Sequence, residues 1–117
     1  MKKNSDKYRF NVEFLREALD FLTNLDTKTK KKVLENIRIS RFRNDPKLLK
    51  KIDKEIWEFR TNYNSKQIRL LAFWDKKEKS LIIGTHGFMK KTQKLPSKEL
   101  KRAKNIRAVY FNSKKKK

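Results

Sequence analysis

Strand-type segments at 56–61, 67–74 and 81–89 follow one another across short polar clusters, Asn62 to Lys66 and Asp75 to Lys79. Connections that brief join antiparallel strands and leave no room for a crossover helix. The spacing therefore predicts a three-stranded meander at the centre of the fold. In the first segment Ile56, Glu58 and Arg60 share one face, and Trp57, Phe59 and Thr61 share the other. Upstream the period changes. Phe14, Leu15, Ala18, Leu19, Leu22 and Leu25 recur at helical spacing, and Asp26 with Thr27 can cap a second helix in which Val33, Leu34, Ile37 and Arg41 share a face. So short a connection makes the two helices antiparallel neighbours. Tyr8 to Val12 reads as a short first strand, and Asn44-Asp45-Pro46 as a loop. Pro96-Ser97 opens a last helix carrying Leu100, Ala103, Arg107 and Tyr110 on one side, with Ile106 alongside. The expected class is α+β: two N-terminal helices and a C-terminal helix packed, largely on one face, on a small, mostly antiparallel twisted sheet.

Charge narrows the function. The 117 residues hold 34 Lys+Arg against 13 Asp+Glu, a formal net charge of +21. A field this positive attracts phosphate backbones in a salt-sensitive way. With 36% hydrophobic and 11% aromatic residues the chain can build one small core and is too apolar for a disordered tail. The longest apolar run, Ile68 to Trp74, is interrupted by Arg69 and falls far short of a membrane span. The Met1-Lys2-Lys3 start turns polar at once, so no secretory leader is expected, and the expected location is the cytoplasm. Lys114 to Lys117 reads as a solvated, frayed tail, and Lys28 to Lys32 as a basic turn that is solvated or docks on RNA.

The chain has no cysteine, which removes disulfides, thiolate metal sites and a Cys nucleophile. His86 is its one histidine, so no His-based metal cluster is expected. Gly84 and Gly87, the two glycines, fall in the third strand of the meander, where glycine marks a bulge or a close backbone approach. Arg60 and Arg69 interrupt β segments, where a guanidinium is costly unless it faces solvent or a partner. Arg69 shares its face with Leu71 and Phe73, and Arg60 shares its face with Glu58. One reading is surface alternation with a Glu58–Arg60 ion pair. The other is a sheet face where Arg60, Arg69, His86, Lys90 and Lys91 converge on a phosphodiester, with His86 or Glu58 moving a proton.

The stretch Gly84-Thr85-His86-Gly87-Phe88-Met89-Lys90-Lys91-Thr92-Gln93-Lys94-Leu95-Pro96, with Ile56 to Arg60 and Ile68 to Phe73, resembles the phage-derived HigB-like toxins of the RelE/ParE superfamily. These belong to type II toxin–antitoxin systems. The resemblance runs from about Tyr8 to Tyr110 and implies a single toxin domain over 1–111 followed by a basic tail, 112–117. It implies a sheet that cradles mRNA, usually on the ribosome, and cleavage without metal or other cofactor by attack of the 2′-hydroxyl on its own phosphate. It implies a small helix-turn-helix antitoxin of the HigA type as partner, and no membrane. By strand position Arg69 resembles the family's central-strand arginine, and Lys91 or Lys90 its basic residue on the last strand. His86 matches the subfamily motif. Glu58 stands where some relatives carry a lysine, and Tyr110 is the nearest counterpart of an active-site tyrosine. The resemblance thus assigns Arg69, Lys91, His86 and Glu58 to catalysis, and Arg60, Lys90, Lys94 and Tyr110 to RNA binding. Two rival readings are a ParE-like gyrase inhibitor and a non-catalytic basic protein that binds RNA or the ribosome.

Overall fold

The computed structural model describes residues 8–83, 88–89 and 97–115. Along them the elements are β1 (Asn11–Phe14), α1 (Arg16–Thr23), α2 (Thr27–Phe42), β2 (Leu49–Lys51), β3 (Trp57–Tyr63), β4 (Lys66–Asp75), β5 (Ser80–Ile83), β6 (Phe88–Met89) and α3 (Ser97–Lys115). Every residue of β4 from Ile68 to Phe73 is buried. A strand that is apolar-in and polar-out covers one face only, so unbroken burial requires cover on both. Alternate residues accordingly join different cores. Ile68, Leu70 and Ala72 pack with Leu49, Phe59 and Leu81 and with Ala18 and Leu22 of α1 and Val33 and Ile37 of α2. Leu71 and Phe73 pack with Ile56, Ile82 and Ala103, against Leu100, Ile106, Tyr110 and Phe111 of α3.

The expectation that the helices lie largely on one face is therefore corrected: the α1–α2 pair covers one face and α3 the other. Pattern alone did not show this, because each helix reads as amphipathic whichever face it meets. Full burial of one Leu or Ile side chain contributes roughly 1.5–3 kcal/mol, so the α1–α2 side rests on apolar packing. On α3 only Ala103 is fully buried. That helix is also held by ion pairs: Arg102 to Glu17, Lys104 Nζ to Asp53 Oδ2 at 3.2 Å, and Arg107 Nη1 to Glu55 Oε2 at 3.0 Å.

The sheet order is β1-β5-β4-β3-β2, with β6 also paired to β4. The β3–β4 and β4–β5 hairpins are antiparallel, as the meander predicts. β1 runs parallel to β5, a long-range pairing that no local pattern announces. The first strand lies at Asn11–Phe14, three residues later than expected at its start. β2 was not expected, since Lys50 and Lys51 are exposed and only Leu49 is buried. β5 and β6 pair successive stretches of one edge of β4, Ala72↔Ile83 and then Arg69↔Phe88. The glycine positions between them, Gly84 and Gly87, lie outside the described residues.

Local chemistry explains the other boundaries. Asp26 caps α2 as expected, its carboxylate accepting from Thr29 N at 3.0 Å and Thr29 Oγ1 at 2.6 Å. Asn36 Nδ2 donates to Thr61 Oγ1 at 3.1 Å and ties α2 to β3 within the buried layer. The β3–β4 hairpin closes through Asn64 and Ser65, both left-handed at φ 53° and 63°. A two-residue loop with positive φ at both positions matches the right-handed twist of the flanking strands. α3 continues through 112–115, so the frayed tail expected from Lys114 onward is helical at its start. Lys114 is held there by Asp75, at 2.7 Å from Nζ to Oδ2.

Candidate functional site

The β3–β4 register sets Arg60 directly opposite Arg69 and Glu58 opposite Leu71. Even residues of β3 and odd residues of β4 thus share the face that α3 covers farther along. The sequence reading placed Arg69 with Leu71 and Phe73 and Arg60 with Glu58; the structure joins these pairs into one cluster. Arg69 is 1% exposed and Glu58 3%. The Arg60 side chain keeps 30% of its surface in solvent. One carboxylate oxygen, Glu58 Oε1, stands 3.4 Å from Arg60 Nε and 3.9 Å from Arg69 Nε. One anion between two cations leaves the cluster with a net positive charge.

Arg69 is fixed from its far end. Nη1 donates to Ile68 O at 2.9 Å, Asn62 Oδ1 at 3.1 Å and Thr61 O at 3.5 Å, and Nη2 donates to Gln67 Oε1 at 3.2 Å. Asn62 and Gln67 are cross-strand partners at the hairpin end. Neither was singled out from the sequence: strand periodicity put Gln67 on the arginine face, but Asn62 was read as part of the turn, whereas β3 extends through Tyr63. Burial pushes the Arg69 guanidinium below its ordinary pKa, Glu58 pulls it back up, and Arg60 adds a smaller downward push. The near end of the cluster is unsatisfied: Glu58 Oε2, Arg60 Nε and Arg69 Nε are buried without hydrogen bonds. Buried polar atoms without partners are rare and costly in folded proteins. Chemically, the cluster offers a half-open guanidinium, a second one locked in orientation, and a carboxylate with a free oxygen. That set can receive an anionic oxygen and accept a proton.

β6 borders this cluster, with Phe88 paired to Arg69. His86, Lys90, Lys91 and Lys94 flank β6 in the sequence and lie outside the described residues. Tyr110 is placed elsewhere. Its hydroxyl donates to Asp75 Oδ2 at 2.7 Å, and its ring packs edge-on against Phe73 and Phe111. Asp75 lies six residues along β4 from Arg69, roughly 20 Å at the usual strand rise, so Tyr110 does not join the arginine cluster. The helical spacing of Tyr110 placed it on the inner side of α3 and carried no information about which end of β4 that side meets.

The Asp75 end is fully engaged. Asp75 is 2% exposed, and its Oδ2 accepts from Tyr110 and from Lys114 Nζ while its Oδ1 accepts from Glu78 N at 3.3 Å. The Lys114 bond foremost, helped by Tyr110 and opposed by burial, holds the Asp75 carboxyl below the usual range. Burial, then Asp75, raises the Tyr110 phenol. Among the described residues no group of three His, Cys, Asp or Glu side chains could hold a metal ion. None of the described helices is long and apolar enough to cross a membrane.

Residues 20–115 match the family model described as Phage derived protein Gp49-like (DUF891). A search of the curated proteins returns no match.

Proposed function

This chain belongs to the Gp49-like phage-derived family, a toxin-like family of the RelE/HigB type, and from that premise we propose that it is the toxin of a type II toxin–antitoxin system that cleaves mRNA. The observation that carries the reading is the buried Glu58–Arg60–Arg69 cluster, in which three polar side-chain atoms make no hydrogen bond. In the proposed reaction the ribose 2′-oxygen attacks the adjacent phosphorus and the bond to the 5′-oxygen breaks. The products are a 2′,3′-cyclic phosphate and a free 5′-hydroxyl. Atoms balance with one proton leaving the 2′-hydroxyl and one reaching the departing oxygen.

Arg60 and Arg69 neutralise the charge that builds on the phosphoryl oxygens, which fixed donors do best where water is excluded. Glu58 takes the 2′-hydroxyl proton, and His86 supplies a proton to the leaving oxygen. Lys91 and Lys90 add to the phosphate contacts, and Lys94 holds the RNA strand. The +21 charge favours docking on the ribosome, and a small helix-turn-helix antitoxin is the proposed partner in the cytoplasm.

The test is induced expression with growth measurement and primer extension on cellular mRNA. The parent is expected to arrest growth and to leave discrete new 5′ ends. Arg69→Ala and Lys91→Ala are each expected to relieve arrest and to slow cleavage by about 10²–10³-fold, the usual loss for a fixed transition-state donor. Full arrest by both variants overturns the site. Arrest with intact mRNA and DNA-damage signalling points to gyrase inhibition instead.

A further inference from the structure

We propose that the tip of the β3–β4 hairpin and the first half of α2 form a second RNA subsite, where a base stacks on Tyr63 and its phosphates lie along Lys28, Lys31 and Lys32. The inference rests on the reading that the substrate is RNA, and it names the strand flanking the scissile phosphate as the occupant. An open cleft of about 290 Å³ is lined by Lys28, Lys31, Lys32, Glu35 and Tyr63. The lysines stand at i, i+3 and i+4 and so project from one side of the helix. All three are exposed. Lys28 and Lys31 have no ion-pair partner among the described residues. Glu35, the one acid in the lining, is already engaged by Arg38, whose Nε lies 3.1 Å from Oε1. Asp26 nearby is committed to Thr29 and lies 3.9 Å from Lys66 Nζ.

Tyr63 is half-buried and pairs with Lys66 where the hairpin closes. It is three residues from Arg60, roughly 10 Å along the strand, and points to the opposite face. It also directly follows Asn62, which holds Arg69. A flexible strand with one phosphate at Arg60 therefore rounds the hairpin tip to reach the lysines. An aromatic face beside a row of point charges suits an unpaired nucleotide, since every base can stack and lysine imposes no fork geometry.

The test measures fluorescence anisotropy of the full chain with a labelled single-stranded RNA, 2′-O-methylated throughout so that it cannot be cut. Tyr63→Leu is expected to weaken binding about tenfold, and Tyr63→Phe to stay within about twofold of the parent. Lys28→Gln/Lys31→Gln is expected to weaken binding and to flatten the log affinity against log salt slope by about 0.7 per lysine. Lys76→Gln/Lys77→Gln removes equal charge from the β4–β5 turn and is expected to change both much less. The lysine variants alter exposed positions only, so they decide the matter if Tyr63→Leu does not fold. Parent-like affinity and slope in the Lys28/Lys31 variant overturn the subsite, as does an equal loss in the Lys76/Lys77 control or a parent that binds no RNA. Cleavage of unmodified mRNA by the parent is read separately. Cutting with unaffected variants sinks this subsite alone, whereas the expected binding losses without cutting sink the nuclease reading alone.

Discussion

Strand β4 carries a buried charged residue toward each end of the same face, Arg69 and Asp75, and their surroundings differ. Asp75 accepts from Tyr110, Lys114 and the Glu78 backbone, and both of its oxygens are used. At the other end, Glu58, Arg60 and Arg69 hold three of the four buried polar side-chain atoms without hydrogen bonds among the described residues. α3 reaches the first end and supplies its partners. Among the described residues α3 gives the second end no hydrogen bond or ion pair. A satisfied buried charge orients an element, as Asp75 anchors the end of α3. A partly satisfied one, such as Glu58 between two arginines, stabilises through the pairs it makes and keeps the desolvation cost of its unbonded atoms until a ligand completes them.

The largest test of that contrast is Glu58→Ala. It leaves two guanidiniums facing each other across β3 and β4 with no carboxylate between them, so unfolding stability is expected to drop by about 3 kcal/mol. Urea titration checks this, and a neutral result breaks the contrast because the cluster then holds no real charge pairing. Asp75→Asn comes next, with an expected loss of about 2 kcal/mol at neutral pH from weakened charge-assisted bonds. Because the folded carboxyl sits below its usual pKa, this contribution is whole above about pH 4 and is lost as pH falls further. Parent and variant should therefore converge in stability in acid, and a constant gap from pH 7 to pH 2 would refute the ion pair.

Tyr110→Phe keeps the ring contacts with Phe73 and Phe111 and removes one hydroxyl bond. Its expected cost is about 1 kcal/mol, with growth arrest unchanged. Loss of arrest in a stably folded Tyr110→Phe would erase the division between the two ends. Ser65→Gly relieves a left-handed residue in the β3–β4 turn and is expected to raise stability by about 0.5 kcal/mol. A thermal melt reads the shift.

Periodicity carried much of the architecture. The two N-terminal helices, the Asp26 cap, the hairpin turn and the helix after Pro96 are local events, each decided by neighbours within a few residues. The grouping of Glu58 with Arg60 was legible for the same reason, since period two fixes which side chains share a strand face. Arg69 was legible as an anomaly, a guanidinium inside an apolar run, but its partners Asn62 and Gln67 became visible only once β3 and β4 were in register. Leu19 and Leu34 fit the apolar stripes of their helices and yet stay exposed, at 49% and 38%, because the stripe is wider than the sheet surface it meets.

By itself the sequence determined most element types and the antiparallel core, which follow from local spacing, and its summed charge is +21. Tertiary structure alone decided that β1 runs parallel beside β5, that helices cover both sheet faces, and that Tyr110 serves Asp75 and not Arg69. Those outcomes depend on contacts between residues far apart in the chain, where hydrophobic burial specifies that a face is covered but is blind to what covers it.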